Sequence, residues 1–465
     1  MGYKTLGIIK IYKNIFLLIC IIAFFSAKAM AETITYSNTL NQAINNSFDL
    51  KISKLDIDIS KAELKAAKAD LYPLLNVQVN TEHNNDLANS GTRSYAYVGN
   101  TVITPYTFYR NMAYATISYN LFDFGAVGKK VFIAKKNLAQ KEVVNDLQLK
   151  NLKLQILDLY TKILQSNEEI KTKTEILKVY EEIFKAKERL FKAGTTDKIS
   201  LMDEAINIAR TQDDIEQSRL KLQTSLEDLA FFTKKKYDHK SIEVLDFEEL
   251  NIKPNIIPVS NITPLEAKIT NIDENMLFIP ENTPEAKYFN FELEKKKAEL
   301  DMYKRQRYPS FKLYASYAMY GQDPDKYFTS IGDISQRSVT VGISGSLAIF
   351  DGFRNKASRE KASIEMEKIQ LQKEKKLNEM VAEYEKTHAT YESYIKELTL
   401  KRSLLSKVQT KLDSIDRMCK NGLIDRNNML KTKADLLTQE YDLEKNIINI
   451  SAKIKEIQIL TGRDI

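Results

Sequence analysis

The chain carries one helical pattern twice, 228 residues apart. In the first copy Leu149, Ile156, Ile163, Ile170, Leu177, Phe184 and Phe191 recur at every seventh position. In the second, Leu377, Tyr384, Tyr391, Leu398, Leu405, Leu412 and Cys419 do the same. Leu152 and Leu159 supply the intervening positions of a 3,4 helix seam. Past a break, Leu201, Ile208, Ile215, Leu222 and Leu229 match Met429, Leu436, Leu443, Ile450 and Ile457 at the same offset. Agreement this long and in register means duplication of one unit. A strict period of seven drives left-handed supercoiling, so these helices require partners along their length. As the last stripe position, Cys419 is expected to pack in a core.

The two breaks read "FKAGTTDKIS" (191–200) and "CKNGLIDRNN" (419–428). Gly194 and Gly422 are stop signals for the long arm, and Asp197 or Asp425 can cap the returning one. Each half therefore predicts a helical hairpin, over 126–232 and over 354–461. The long arm spans roughly 65 residues, or about 100 Å.

Ahead of each hairpin the period changes to two. Leu75, Val77 and Val79 alternate with polar residues, as do Ala113, Ala115, Ile117, Tyr119 and Leu121. In the second half Phe311, Leu313, Ala315, Tyr317 and Met319 alternate, then Val339, Val341, Ile343 and Leu347. The pattern predicts strands over 73–80, 112–122, 310–320 and 337–348. It fits a sheet with one face on a soluble core, and it fits a transmembrane barrel with apolar residues toward lipid. The aromatics at the strand ends (Tyr72, Phe122, Tyr308, Phe350) and the absence of a helix left over to cover the sheet favour the barrel. "LFDFG" and "IFDGF" then mark the change from strand to helix. There Phe122 and Phe350 suit the headgroup zone, Asp123 and Asp351 cap the helix, and Gly125 and Gly352 relieve the turn. The "YP" pairs at 72–73 and 308–309 end the preceding helices. Four strands cannot close a barrel, and open edges in lipid are forbidden, so the chain must oligomerise; three copies give twelve strands.

Residues 1–31 read as a secretory leader: Lys4, Lys10 and Lys13 precede a short apolar run from Ile15 to Phe25, with Ala29-Met30-Ala31 as the cleavage site. Its removal lowers the formal charge from +7 to about +3, too small a surplus to argue for nucleic acid. Cys419 is then the one remaining cysteine of two, which excludes a disulfide framework. The three His lie far apart, and no P-loop, GxSxG or HExxH motif occurs. No cofactor, metal site or enzymatic activity is expected. The halves, 32–232 and 286–465, are joined by 233–285, which holds five of the nine Pro and has the composition of a linker; it is expected as a linker or as an equatorial belt folded around the helices.

The order "LNQAI" (40–44), "YP", "FD", tip glycine, repeated once, resembles the TolC-type outer membrane efflux proteins of Gram-negative bacteria over about residues 36–465. That resemblance implies an α+β membrane protein: a homotrimer with a twelve-stranded barrel in the outer membrane, continued by a periplasmic coiled-coil α-barrel. It implies a periplasmic adaptor and an inner-membrane transporter as partners, with drugs or secreted proteins as cargo. The tips Gly194, Thr195, Thr196, Gly422, Leu423 and Ile424 become the expected adaptor contacts. Relatives commonly place carboxylates six and nine residues beyond the second tip glycine. Here those positions hold Asn428 and Lys431, with Ser200 and Asp203 in the first repeat. These four are the expected aperture residues; Asp203 and Lys431 point away from the seam, either toward the lumen, as pairs holding the tips closed, or to the outer surface in bulk water, where a pair is worth little. A periplasmic adaptor or a surface coiled-coil adhesin would share the heptads, but neither interleaves strands and hairpins twice.

Overall fold

The computed structural model describes residues 32–84, 96–98, 101–103, 108–237, 242–245, 247, 278–323, 326–332, 334 and 336–462. The expected leader, part of the stretch 81–110 and most of the 233–285 segment lie outside the described residues. The elements run in order β1 (Glu32–Ile34), α1 (Tyr36–Asn46), α2 (Phe48–Ala69), β2 (Leu74–Asn84), β3 (Ala96–Val98), β4 (Thr101–Ile103), β5 (Phe108–Phe122), α3 (Ala126–Lys192) and α4 (Lys198–Thr233). Then follow β6 (Ile242–Val244), α5 (Pro284–Arg305), β7 (Ser310–Asp323), α6 (Tyr327–Gly332), β8 (Gln336–Ser346), α7 (Arg354–Lys420) and α8 (Arg426–Thr461). The duplication holds to the residue: both long arms have 67 residues and both return arms have 36.

The chain divides into two compact units that do not follow the sequence repeats. One takes residues up to 52, 146–283 and 377–465; the other takes 53–145 and 284–376. Each unit thus combines corresponding pieces of both repeats, because these elongated helices make their contacts sideways and not along the chain.

In the first unit the stripe residues do pack. Ile156, Ile163, Leu222 and Leu229 share one core, and Tyr391, Leu398, Leu443, Ile450 and Ile457 form its counterpart in the second repeat. Toward the hairpin ends the stripe turns off the buried face. Phe191 is exposed and Cys419 is half-buried, while Val179 and Ile183 pack against Leu430 and Ala434. The cause is geometric: a 3.6-residue helix drifts about 20° per heptad against a repeat of seven. Core packing of Cys419 is therefore not what a single chain provides.

The described residues just after α4 pack on the first hairpin. β6 pairs in parallel with β1, Ile34 opposite Val244. Phe247 is buried in an edge-to-face triangle with Tyr36 and Tyr160, at 5.5–5.7 Å between ring centres. The fully buried Tyr160 hydroxyl donates to the Leu245 carbonyl at 2.5 Å, with the Ile34 carbonyl at 3.1 Å. This pins both ends of the first hairpin unit to the middle of α3.

The second unit holds an antiparallel sheet in the order β2-β5-β7-β8. All four strands come from one chain, and among the described residues β2 and β8 leave their outer edges unpaired.

Candidate functional site

The sheet is a wall with two different faces. Register places Val77, Ala115, Tyr317 and Val339 in one row, and Leu75, Ile117, Ala315 and Val341 in the next. Between them, on the opposite face, stand Asn76, Thr116, Ser316 and Thr340, then Gln78, Tyr114, Ala318 and Ser338. On that polar face Tyr114 hydrogen-bonds to Gln78, and Arg110 pairs with Glu82 at 3.5 Å. Over most of its height the apolar face is bare: Leu75, Val77, Val79, Val339, Val341 and Ile343 are each at least 63% exposed. A surface that large and apolar belongs against something other than water. No helix among the described residues is long and apolar enough to cross a membrane.

Where strand becomes helix, both copies use the same device. Asp123 accepts from the backbone N–H groups of Gly125 (2.9 Å) and Val127 (2.7 Å), and Asp351 accepts from that of Asn355 (2.9 Å). These bonds satisfy orphan donors of the first helical turn. The two residues after each Asp are both left-handed: Phe124 (φ 56°) and Gly125 (81°), Gly352 and Phe353 (65° each). The sequence reading anticipated the glycines but not the phenylalanines, whose strain is held by packing. Phe124 stacks on Tyr308 at 4.8 Å and meets Phe122 at 4.7 Å, and Phe353 meets Phe350 at 5.5 Å.

The copies differ in their tolerance. A Cβ on Gly125 would lie 2.5 Å from Arg305 Nη1, which donates to the Phe124 carbonyl, whereas nothing lies within 4 Å at Gly352. Gly352→Ala is expected to cost only the left-handed penalty of about 1–2 kcal/mol. Gly125→Ala should cost that and the Arg305 bond, so its Tm in detergent, followed by circular dichroism, should fall further.

At the hairpin ends both long arms close alike. Gly194 (φ 73°) and Gly422 (70°) donate to the carbonyls of Phe191 and Cys419, and Thr195 and Leu423 donate to those of Leu190 and Met418. This is the double bond pattern of a Schellman stop. Asp197 caps α4 through Ser200 N–H at 3.2 Å, but Asp425 gives no such cap to α8 and accepts from the Asn427 amide instead. Leu423 is 74% exposed, and Thr196 and Ile424 are half-buried.

Close to these tips lies a charge centre that sequence reasoning missed. Glu204 is 1% exposed and accepts from Lys187 Nζ at 2.9 Å, Lys431 Nζ at 3.1 Å and the Asn207 amide at 3.0 Å. Lys187 also reaches Ser200 Oγ at 2.8 Å. Burial works to raise the Glu204 carboxyl pKa, but the hydrogen bonds from Lys187, Asn207 and Lys431 outweigh it and hold it below the ordinary value. The expected Asp203–Lys431 pair is thereby corrected: Lys431 meets Glu204, while Asp203 and Asn428 are exposed. Glu204 stands about 100° further round α4, on the buried side, within range of the long lysine stems. The available signal was Lys187 itself, a charge in a seam that calls for a counter-ion on the facing arm. Among the described residues no cluster of His, Cys, Asp or Glu is arranged to hold a metal ion.

Comparison with known proteins agrees with this geometry. The model of the outer membrane efflux protein family matches residues 39–233 and 281–454. No curated protein matches the chain in sequence. Among solved structures, the channel-forming protein CusC aligns with TM-score 0.71 at 17% identity, over 92% of this chain and 91% of that one. The outer membrane protein VceC of Vibrio cholerae aligns with TM-score 0.71 at 14% identity, over 92% and 95%. The CmeC outer membrane channel of Campylobacter jejuni aligns with TM-score 0.70 at 14% identity, over 92% and 86%. Matched in both repeats, the chain belongs to the outer membrane efflux protein family: it is an efflux channel of the outer membrane with a periplasmic helical part, and not an enzyme.

Proposed function

We propose that three copies of this chain assemble into a twelve-stranded outer membrane pore continued by a coiled-coil tunnel. In this reading the pore is the exit duct of a tripartite efflux or type I secretion system, served by a periplasmic adaptor and an inner-membrane transporter. The observation that carries the proposal is the sheet, apolar and uncovered over most of one face and, among the described residues, open at both edges. In lipid, unpaired edge groups are not tolerated, so each β2 needs a β8 from another copy. Mass measurement in detergent should give a trimer; a stable folded monomer would overturn it.

The duplication also supports one way for the copies to meet. Within one chain, Leu430 and Ala434 of α8 pack on Val179 and Ile183 of α3, beside Ile176. Moved by 228 residues, the same contact puts Met202 and Ile206 of α4 on Lys407, Lys411 and Leu404 of α7 in a second copy. Met202, Ile206 and Leu404 are exposed in the single chain, at 54%, 46% and 45%. Asp203 would then face Lys407 and Lys411. Cysteines at 202 and 404, on a Cys419→Ser background, are expected to crosslink between chains; crosslinking only within a chain would rule this packing out.

Gly194, Thr195, Thr196, Gly422, Leu423 and Ile424 are proposed as the adaptor contact. Leu423 supports this, since so exposed an apolar side chain at a turn suits a partner better than water. A cysteine at 423 should crosslink to the adaptor. Ser200, Asp203, Asn428 and Lys431 are proposed to border the aperture, with Lys431 held by Glu204 in place of Asp203. Single-channel recordings of Lys431→Glu in a salt gradient should shift the reversal potential; an unchanged value would remove Lys431 from the pore lining.

A further inference from the structure

Between β7 and β8 the chain forms the short helix α6, which packs on β5 and β7. Asn111 fastens it: the side-chain amide donates to Ser330 Oγ at 2.6 Å, and its oxygen accepts from Thr81 Oγ1 at 2.7 Å. Ser330 Oγ donates onward to the Tyr327 carbonyl at 2.7 Å. Asn111 is 6% exposed and Ser330 is fully buried. Gly321, opposite Asn111 in the register, is buried and has no side chain to hold the helix away from the sheet.

Strand alternation decides which face α6 covers. Asn111 stands two residues from Ala113 and four from Ala115, and Thr81 two from Val79, so all point to the apolar face. The polar face at this level carries the Arg110–Glu82 pair. Outward from α6, Phe328 is 83% exposed, and Tyr327 and Ile331 are also accessible. Tyr327 meets Tyr109 edge-on at 5.9 Å. From Phe311 at the far end of β7, the climb to Gly321 is about 34 Å along the strand. At a tilt near 40° that is roughly 26 Å along the barrel axis, which matches the height of the apolar band of such barrels. At this boundary aromatic side chains settle among lipid headgroups.

We propose that α6 is a membrane foot, lying in the lipid interface with Phe328 and Ile331 in the acyl boundary. It also screens the Thr81–Asn111–Ser330 cluster from hydrocarbon, where polar groups need internal partners. Exposed Lys326 and Arg337 flank it and suit lipid phosphates. The inference rests on reading the sheet as a membrane barrel.

The chain has no Trp, so Phe328→Trp is a single fluorescent reporter. In phosphatidylcholine vesicles, bromines placed high on the acyl chains should quench it more than bromines at the chain ends, and aqueous iodide should quench it weakly. Indifference to both bromines with strong iodide quenching would place α6 in water and overturn the foot. Val341→Trp, in the middle of the apolar face, tests the barrel itself and should respond to deep bromines. If Val341→Trp is quenched and Phe328→Trp is not, the foot fails alone; if neither is quenched, the membrane reading fails with it.

Discussion

Val341→Arg is expected to prevent assembly of the channel, whereas Thr340→Arg, one residue earlier, is expected to assemble at close to the normal level. Val341 stands mid-strand on the bare face, 70% exposed, in a row with Leu75, Ile117 and Ala315. An arginine facing lipid at the bilayer midplane costs about 2–4 kcal/mol, and threefold assembly would impose that cost on every copy. Thr340 lies opposite Ser316 on the polar face, where a guanidinium meets water. The measurement is the amount of heat-modifiable trimer in isolated outer membranes. Equal loss in both variants would mean that the two faces are not lipid and lumen. Deleting residues 311–320 removes a strand outright and should abolish assembly in either case.

Glu204→Ala is expected to be the most destabilising single change near the hairpin tips, at about 3–5 kcal/mol. That is the range for removing one partner of a buried ion pair, because the other charge is left uncompensated. Lys187, only 14% exposed, is the charge left behind; Lys431, half exposed, can turn to solvent and contributes little. The pH dependence has a defined sign. Because the folded pKa of Glu204 is lowered, its stabilisation is complete above the unfolded value of about 4.3. It is lost as the pH falls through the folded value. Glu204→Gln should therefore be less stable than the parent at neutral pH and should lose less stability between neutral pH and acid. Hydrogen exchange of the tip amides over that range would show it. Parallel acid curves for parent and variant would mean that Glu204 does not carry the centre.

The recognisable part of this protein was written in local periods. The seven-residue stripe from Leu149 to Phe191 and its copy from Leu377 to Cys419 establish two long helices. The alternation at Leu75, Val77 and Val79 establishes strands with unlike faces, and Gly194 and Gly422 establish the turns. Each of these is a property of residues a few positions apart, and backbone geometry translates such spacing directly into which side a residue occupies. Resemblance carried by the same local marks led to the family.

What the sequence could not contain was the pairing of distant segments. Glu204 reads as one more surface acid beside Asp203, and only tertiary packing brings it to Lys187 and Lys431 and buries it. Phe124 and Phe353 carry no sign of a left-handed backbone; the demand comes from the angle at which strand must enter helix. The segment after α4 has a linker's composition, yet Ile242–Val244 lies against Glu32–Ile34, a match with no local period to announce it. No local period announces the short turn of α6, and its place on the apolar face follows only from Asn111 on a strand more than two hundred residues away. Periodicity sets the face that each element shows; the free energy of burying charge, aromatic rings and strand edges against remote parts of the chain decides what that face meets.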